Sequence, residues 1–353
     1  MISVTTTQPP RLLAVDTMRF LAIIAVIIIH TCPFRDLTLE HDARQYNLLG
    51  VFLNQLARFG VPFFFTISGY FWGLKVRGGT PVVSILAQTA KRLLLVLVAA
   101  SVIYALPYNI TAIFEYGALG PIKVWNWHLH DLASNPERIL FEATNQHLWF
   151  LIALLWAVAI ATVFVYFRRV RYLVAVAVIL YVFGILALAY EKTPVGIAFP
   201  FYTLQGPFFS TLFFVTGYIL SGYPPQAKWL RLGVVFTLAG FAIHFSEAFL
   251  LWKWWQIRPF HHYLFGTVLI GLGVSMITLS DPPALRIKVL AKAGRYTLGI
   301  YVIHYIFVDW LLPVNAVVTH PAWEIGRVFL ILGLALVVAQ WMSKYKVLRK
   351  LVT

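Results

Sequence analysis

The chain has few charged residues and a single cysteine for its length. Only 12% of its 353 residues are charged, and Cys32 is the one cysteine, whereas soluble domains carry about 25% charged residues. A single cysteine excludes an intrachain disulfide framework and a thiolate metal cluster. The sequence also contains no Walker loop, no GxGxxG fingerprint and no HExxH zinc motif, so nothing in it supports ATP-driven, Rossmann-type or zincin chemistry.

Long apolar runs take the place of the missing charge. Hydrophobic residues make up 60% of the chain, and the mean hydropathy is +0.80. The first run is not followed by a small-residue cleavage site, so we interpret it as a retained helix rather than a signal peptide. The composition therefore predicts a protein with many membrane-spanning segments.

Polar turns divide the sequence into about ten apolar segments. The predicted spans are about 18–34, 50–73, 93–108, 147–167, 172–189, 204–221, 232–251, 263–279, 297–312 and 325–342, so the third span starts after Lys91-Arg92. The longest predicted loop is about 111–146. Lys and Arg concentrate on the side that carries both termini, which predicts cytoplasmic termini. We therefore expect an all-α integral membrane protein of about ten transmembrane helices. The net charge of +15 is then explained by topology and lipid contact rather than by nucleic acid.

The predicted domain organisation is simple. Residues 1–15 form a cytoplasmic N-terminal tail, 16–343 the transmembrane domain, and 344–353 a basic cytoplasmic tail. Two predicted spans also contain similar Phe-rich motifs, VPFFFTISGYFWG at 61–73 and GPFFSTLFFVTGYILSG at 206–222. This similarity indicates either a parallel internal repeat or chance resemblance between apolar sequences.

The first apolar run carries two ionisable residues on one helix face. Arg19 and His30 are eleven positions apart, which is about three turns plus 20° and an axial separation of about 16 Å. Ionisable side chains inside a membrane are costly and usually functional. We expect Arg19 to bind an anionic donor at one side of the membrane and His30 to act as a base deeper in it. A packing histidine bonded to a neighbouring helix is the alternative.

Two later spans also carry polar residues at membrane depth. Arg58 is expected either to stabilise an anion, such as a developing oxyanion, or to form an ion pair with Asp36 or Asp42. His304, one turn after Tyr301, is either a second active-site group or part of a helix–helix hydrogen bond.

The remaining candidates lie near the predicted membrane surfaces. His147 and Trp149 begin the fourth span, where interfacial anchoring is the simpler interpretation, and Glu142 precedes them at an outer helix end, where it could orient His30 or bind sugar. Lys91 and Arg92 belong to a cytoplasmic basic cluster that suits either a nucleotide phosphate or ordinary positive-inside charge.

Several of these segments, taken in order, resemble the membrane acyltransferase-3 family. The matching segments are AVDTMRFLAIIAVIIIH, VPFFFTISGYFWG, HLWFLIALL, FFVTGYIL and LGIYVIHYIF. The resemblance implies a ten-helix enzyme of a bacterial cytoplasmic membrane that moves an acyl group, usually acetyl, from cytoplasmic acyl-coenzyme A to a glycan hydroxyl on the far side. It places the catalytic histidine at His30 and the helix-one arginine at Arg19. Lys91-Arg92 stands where the family often has Arg-x-x-Arg.

The expected partners follow from this resemblance. They are acetyl-coenzyme A, a surface or lipid-linked glycan, and membrane lipids, with no metal and no nucleic acid. A flippase or exporter of a lipid-linked saccharide, with His30, Arg58 and His304 lining its pathway, is the alternative from another functional class. A sensor or scaffold without turnover is a third.

Overall fold

The computed structural model describes residues 12–35, 47–136, 139–318 and 320–352. Within these ranges the regular structure is entirely helical, as backbone in lipid must satisfy its own hydrogen bonds. The helices are α1 (Leu13–Thr31), α2 (Leu48–Leu56), α3 (Gly60–Arg77), α4 (Val82–Tyr104), α5 (Ile113–Tyr116), α6 (Gly120–Ser134), α7 (Ile139–Glu142), α8 (Trp149–Tyr166), α9 (Val170–Leu186), α10 (Pro207–Leu220), α11 (Lys228–Trp255), α12 (Phe265–Leu279), α13 (Lys288–Gly294), α14 (Thr297–Trp310), α15 (Leu312–Val317), α16 (Pro321–Ser343) and α17 (Lys346–Val352).

Six segments in the described ranges are long and apolar enough to cross a membrane. They are Leu13–Thr31, Leu48–Arg77, Val82–Tyr104, Gln146–Tyr166, Lys228–Trp255 and Pro321–Ser343. Four shorter apolar helices, α9, α10, α12 and α14, coincide with the other predicted spans. The all-helical membrane class is confirmed, whereas ten crossings and cytoplasmic termini stay predictions.

Two boundary predictions were wrong. The third span does not begin after Lys91-Arg92, because α4 already starts at Val82 and Lys and Arg are good helix formers that do not interrupt it. The predicted loop at 111–146 is also largely helical. Its α6 (Gly120–Ser134) has Pro121 in its first turn, a position where proline favours helix initiation.

The two similar Phe-rich motifs lie on helices that pack against each other. A Cβ on Gly69 of α3 would lie 1.9 Å from the Phe214 carbonyl oxygen of α10, and one on Gly217 would lie 1.9 Å from the Thr66 carbonyl oxygen. Further along both helices, Gly73 faces Ser221, so the helices run parallel. Small residues thus allow the two backbones to touch, as in small-xxx-small membrane packing.

A buried ion pair holds the end of α1 that carries His30. Arg327 on α16 donates to the Thr31 carbonyl oxygen at 2.9 Å and to Glu324 at 2.6 Å. Glu324 in turn accepts from the Phe34 backbone N–H at 2.8 Å. These bonds satisfy backbone groups at a helix terminus that would otherwise lack partners.

Candidate active site

Histidines from three separate elements meet beside the C-terminal end of α1. The His30 ring centroid lies 5.3 Å from those of His304 and Tyr305, both on α14. His147, in the single 3₁₀ turn before α8, lies 5.6 Å from His304 and stacks on Tyr305 at 4.8 Å. His30 is half-buried, whereas His147 and His304 are buried.

Hydrogen bonds fix the tautomers of the two buried histidines. His304 Nδ1 lies 2.8 Å from the Tyr301 carbonyl oxygen, and His147 Nδ1 lies 2.9 Å from Asn145 Oδ1. Because both partners are acceptors, each Nδ1 carries the proton and donates it. The Nε2 atoms of both rings have no hydrogen-bond partner among the described residues. In its neutral form, the His304 ring therefore presents an unpaired Nε2 lone pair, whereas the His147 ring also interacts with the backbone of Val302.

Tyr301 and Trp149 support this cluster from outside. The Tyr301 hydroxyl donates to the His147 carbonyl oxygen at 2.5 Å, so it fixes the turn that carries His147. Trp149 lies among aromatic rings, with Phe65 and Phe209 each 6.2 Å away. Both side chains thus make packing and positioning contacts in this structure.

Arg58 brings a positive charge to the same region. Its Nη2 donates to Asn54 Oδ1 at 2.6 Å, and its Nη1 lies 3.2 Å from His262 Nδ1. It is 7% exposed and close enough to His30 for electrostatic interaction. The alternative ion-pair partners, Asp36 and Asp42, lie outside the described residues.

A histidine pair between α11 and α12 completes this region, and the sequence analysis did not select it. Arg58 can only donate, so His262 Nδ1 is the acceptor and the ring is neutral. Burial, and after it the Arg58 charge, holds the pKa of His262 well below its usual range. The same two causes lower the pKa of His261 to about 4. The only sequence signal was the adjacent HH in an otherwise aromatic turn.

Glu142 lies near the Arg58–His262 pair and reaches it through neighbouring side chains. It accepts from Gln205 Nε2 at 2.6 Å and interacts electrostatically with Tyr202. The Tyr202 ring in turn meets His262 edge-on at 5.4 Å. Glu142 is therefore connected to the Arg58–His262 pair through Tyr202.

The predicted donor-binding residues lie on two helices, α1 and α4. Arg19 forms an ion pair with Asp16 at 3.1 Å and lies 5.6 Å from the Phe71 ring on α3. Lys91 and Arg92 are exposed on α4, a helix that packs chiefly against α8. Because α1 is one continuous helix, Arg19 and His30 remain about 16 Å apart along its axis.

Comparisons with known proteins agree with this membrane architecture. The chain is 28% identical over 243 residues to a protein named "Amino-acid racemase" from Enterococcus faecalis, an alignment that covers 64% of the chain and 30% of that relative. The chain thus matches less than a third of the relative's length. No solved structure matches the chain. An acyltransferase domain model matches residues 12–344, nearly the whole chain, which therefore belongs to the acyltransferase 3 family.

Proposed function

We propose that this acyltransferase moves an acetyl or other short acyl group from cytoplasmic acyl-coenzyme A to a hydroxyl of a surface or lipid-linked glycan across a bacterial cytoplasmic membrane. The observation that carries the proposal is the convergence of His30, His304 and His147, together with an Arg58 guanidinium close enough to His30 for electrostatic interaction. A neutral imidazole near a fixed positive charge provides both a base for a hydroxyl and a group for an oxyanion.

The proposed reaction begins with a neutral His30. Its imidazole removes the proton from the acceptor hydroxyl while the oxygen attacks the thioester carbonyl carbon. Negative charge develops on the carbonyl oxygen, where Arg58 stabilises it. The intermediate collapses with cleavage of the C–S bond, and the imidazolium returns the proton to the departing thiolate. The products are the acylated glycan and free coenzyme A.

The other residues bind and position the reactants in this proposal. Arg19 pairs with a phosphate of the coenzyme at the cytoplasmic mouth, exchanging its contact with Asp16, and Lys91 and Arg92 supply further positive charge. The extended pantetheine arm then covers the axial distance of about 16 Å between Arg19 and His30. Arg19 also stays 35% exposed, which supports its access to a soluble donor.

The test incubates membranes that contain the full chain with acetyl-coenzyme A and with glycan acceptors. The acceptors are isolated from the surface of the cells that produce the protein. We expect acceptor-dependent release of free thiol from the wild type. His30→Ala should lower it at least 10²-fold, the usual contribution of a general base, whereas His130→Ala, at an exposed position on α6, should retain it. Full activity in His30→Ala would exclude this mechanism.

The same experiment separates the alternatives. A flippase or exporter would move labelled glycan across the membrane without releasing thiol from acetyl-coenzyme A. An amino acid is a second candidate acceptor, because the Enterococcus faecalis relative, which aligns with the chain over 243 residues, is named an amino-acid racemase. Thiol release that depends on an amino acid and not on glycan would favour that acceptor.

A further inference from the structure

A cavity of about 240 Å³ lies next to α6, at the end of α14 beyond His304. A single water needs only about 10–15 Å³, so there is space for a small organic ligand. Its wall includes the Tyr116 and Trp127 rings, the Asn109 amide, and the Glu115 and Asp309 carboxylates. Apolar surface with a few converging polar groups is the usual composition of a ligand site.

The chemistry of this wall selects a neutral, hydroxyl-rich ligand. Tyr116 and Trp127 remain 43% and 51% exposed, so part of their apolar surface is available for the C–H face of a sugar ring. Carboxylate and amide oxygens accept hydrogen bonds from hydroxyl groups. The Lys123 ammonium lies 5.3 Å and 5.2 Å from the centres of the two rings, but the two carboxylates of the lining outnumber it, so phosphate and coenzyme A are disfavoured.

The cavity is linked to the histidine cluster by hydrogen bonds. Tyr108 donates from its hydroxyl to Asp309 at 2.5 Å and accepts from Asn145 Nδ2 at 3.5 Å. Asn145 Oδ1 in turn accepts from His147 Nδ1 at 2.9 Å. A ligand that contacts Asp309 is therefore connected to His147 through two side chains.

The cavity and the histidine cluster lie along one face of α14. Asp309 follows Tyr305 by four residues on this helix, so the two side chains share a face about 6 Å apart along the axis, and the Tyr305 ring contacts the rings of His30 and His147. A ring held in the cavity would place an adjoining ring of the same glycan near the histidines.

We propose that this cavity binds the saccharide unit adjacent to the unit that is acylated, so the acceptor is at least a disaccharide. This inference rests on the proposed function, whose acceptor class it narrows. Trp127 provides the stacking surface and Asp309 orients the ring through its hydroxyls.

Binding is tested on the full chain in lipid nanodiscs, by saturation-transfer NMR. The probes are glucose, N-acetylglucosamine and their β-linked oligomers of two to four units. We expect the oligomers to bind and Trp127→Ala to weaken that binding about tenfold. Trp254→Ala, at an exposed tryptophan on α11, is the matched control and should bind as the wild type does.

Two conservative variants distinguish the loss of a ligand contact from a failure of the chain to fold. Trp127→Phe retains an aromatic face and should recover most of the binding. Asp309→Asn keeps an acceptor for the Tyr108 hydroxyl but removes the carboxylate charge, and should weaken binding several-fold. Absence of any sugar binding that depends on Trp127 would overturn the proposal.

Turnover then separates this inference from the proposed function. Trp127→Ala should raise KM for oligomeric acceptors about tenfold and leave KM for single sugars unchanged. Acyl transfer with the same KM in wild type and Trp127→Ala would refute the cavity assignment and leave the acyltransferase mechanism intact. Trp127-dependent binding without acyl transfer to any probe would refute the mechanism and leave the cavity assignment intact.

Discussion

At the scale of single residues, the site combines neutral histidines with one buried cation. Arg58 is bonded to Asn54 and His262, and its charge helps to lower the pKa of both His261 and His262. His262 therefore accepts a hydrogen bond from Arg58 across the physiological pH range. Among the described residues, no carboxylate is a hydrogen-bond partner of Arg58. Its positive charge is therefore not neutralised by a bonded anion.

Removing that charge should affect both rate and pH dependence. Arg58→Gln should lower kcat for acyl transfer about 10²–10³-fold, the usual effect of losing an oxyanion donor. It should also raise the pKa of His262, because the neighbouring positive charge that helps to lower it is gone, and the NMR titration of that ring should move to higher pH. Arg58→Lys, which retains the charge, should leave this titration close to the wild-type position. An unshifted His262 titration in Arg58→Gln would show that Arg58 does not control the protonation of that ring.

His261 should make stability depend on pH. Its pKa is about 4 in the folded chain against about 6.5 when unfolded. Between these values the unfolded state binds the additional proton, so the free energy of unfolding should fall by roughly 3 kcal/mol as pH drops through this window.

Thermal unfolding in detergent at pH 7.5 and pH 5.0 measures this dependence. His261→Gln, which cannot take up the proton, should reduce the difference in Tm between the two pH values. His130→Gln, at an exposed position, should keep the wild-type difference. Equal differences in wild type and His261→Gln would contradict the assignment.

At the scale of helices, two contacts fix the positions of the elements that carry the site. One is the close approach of α3 and α10 at Gly69 and Gly217. The other is the Glu324–Arg327 pair on α16, which bonds the C-terminal end of α1 next to His30. In the first contact, the backbones of two helices pack directly against each other. In the second, a side chain of α16 bonds a backbone group at the end of α1.

The glycine contact should not tolerate a methyl group. In Gly69→Ala the new Cβ would meet the Phe214 carbonyl oxygen at 1.9 Å, and overpacking of this kind costs at least about 1–3 kcal/mol. Gly326→Ala on α16 is the matched control, because nothing lies within 4 Å of its Cβ. Thermal unfolding should show a lower Tm for Gly69→Ala only. An unchanged Tm there would show that the two helices separate easily.

The ion pair should be costly to break singly. Glu324→Leu leaves Arg327 buried without its partner, an expected loss of about 3–5 kcal/mol. The double variant Glu324→Leu, Arg327→Met should regain stability, because both charges are absent. It should not regain activity, because the bond to the Thr31 carbonyl oxygen is lost. Recovery of acyl transfer in the double variant would show that this bond does not position His30.

At the scale of the whole molecule, the proposed reaction requires a donor and an acceptor on opposite sides of the membrane. We predict that α17 lies in the cytoplasm. We also predict that α6, which lines the cavity proposed to bind a saccharide unit, lies outside. Both helices offer highly exposed positions, Leu119 just before α6 at 71% and Val347 at 79%.

Cysteine labelling in intact cells tests this orientation, because Cys32 is the one native cysteine. In a Cys32→Ala background, Leu119→Cys should react with a membrane-impermeant maleimide in intact cells. Val347→Cys should react only after lysis. Labelling of both positions in intact cells would contradict the predicted topology and the route from donor to acceptor.

The sequence by itself determined the membrane class, the existence of the long helices and the candidacy of His30. Apolar runs of about 20 residues in lipid have to be helical, and an ionisable group within one stands out against that background. The start of the third span was wrong, because Lys91 and Arg92 were interpreted as lying before the span although both favour helix and lie within α4.

Only the tertiary structure decided which polar residues meet. The Arg58–His262 contact joins residues 204 positions apart, and its sequence signal was a bare histidine pair. Likewise, nothing in the spacing of His147 and His304 showed that their rings converge on His30, because helix packing and not helix periodicity sets distances between elements. The cavity beside the Tyr108–Asp309 bond is lined in part by Trp127 of α6, a helix that forms where a loop was expected.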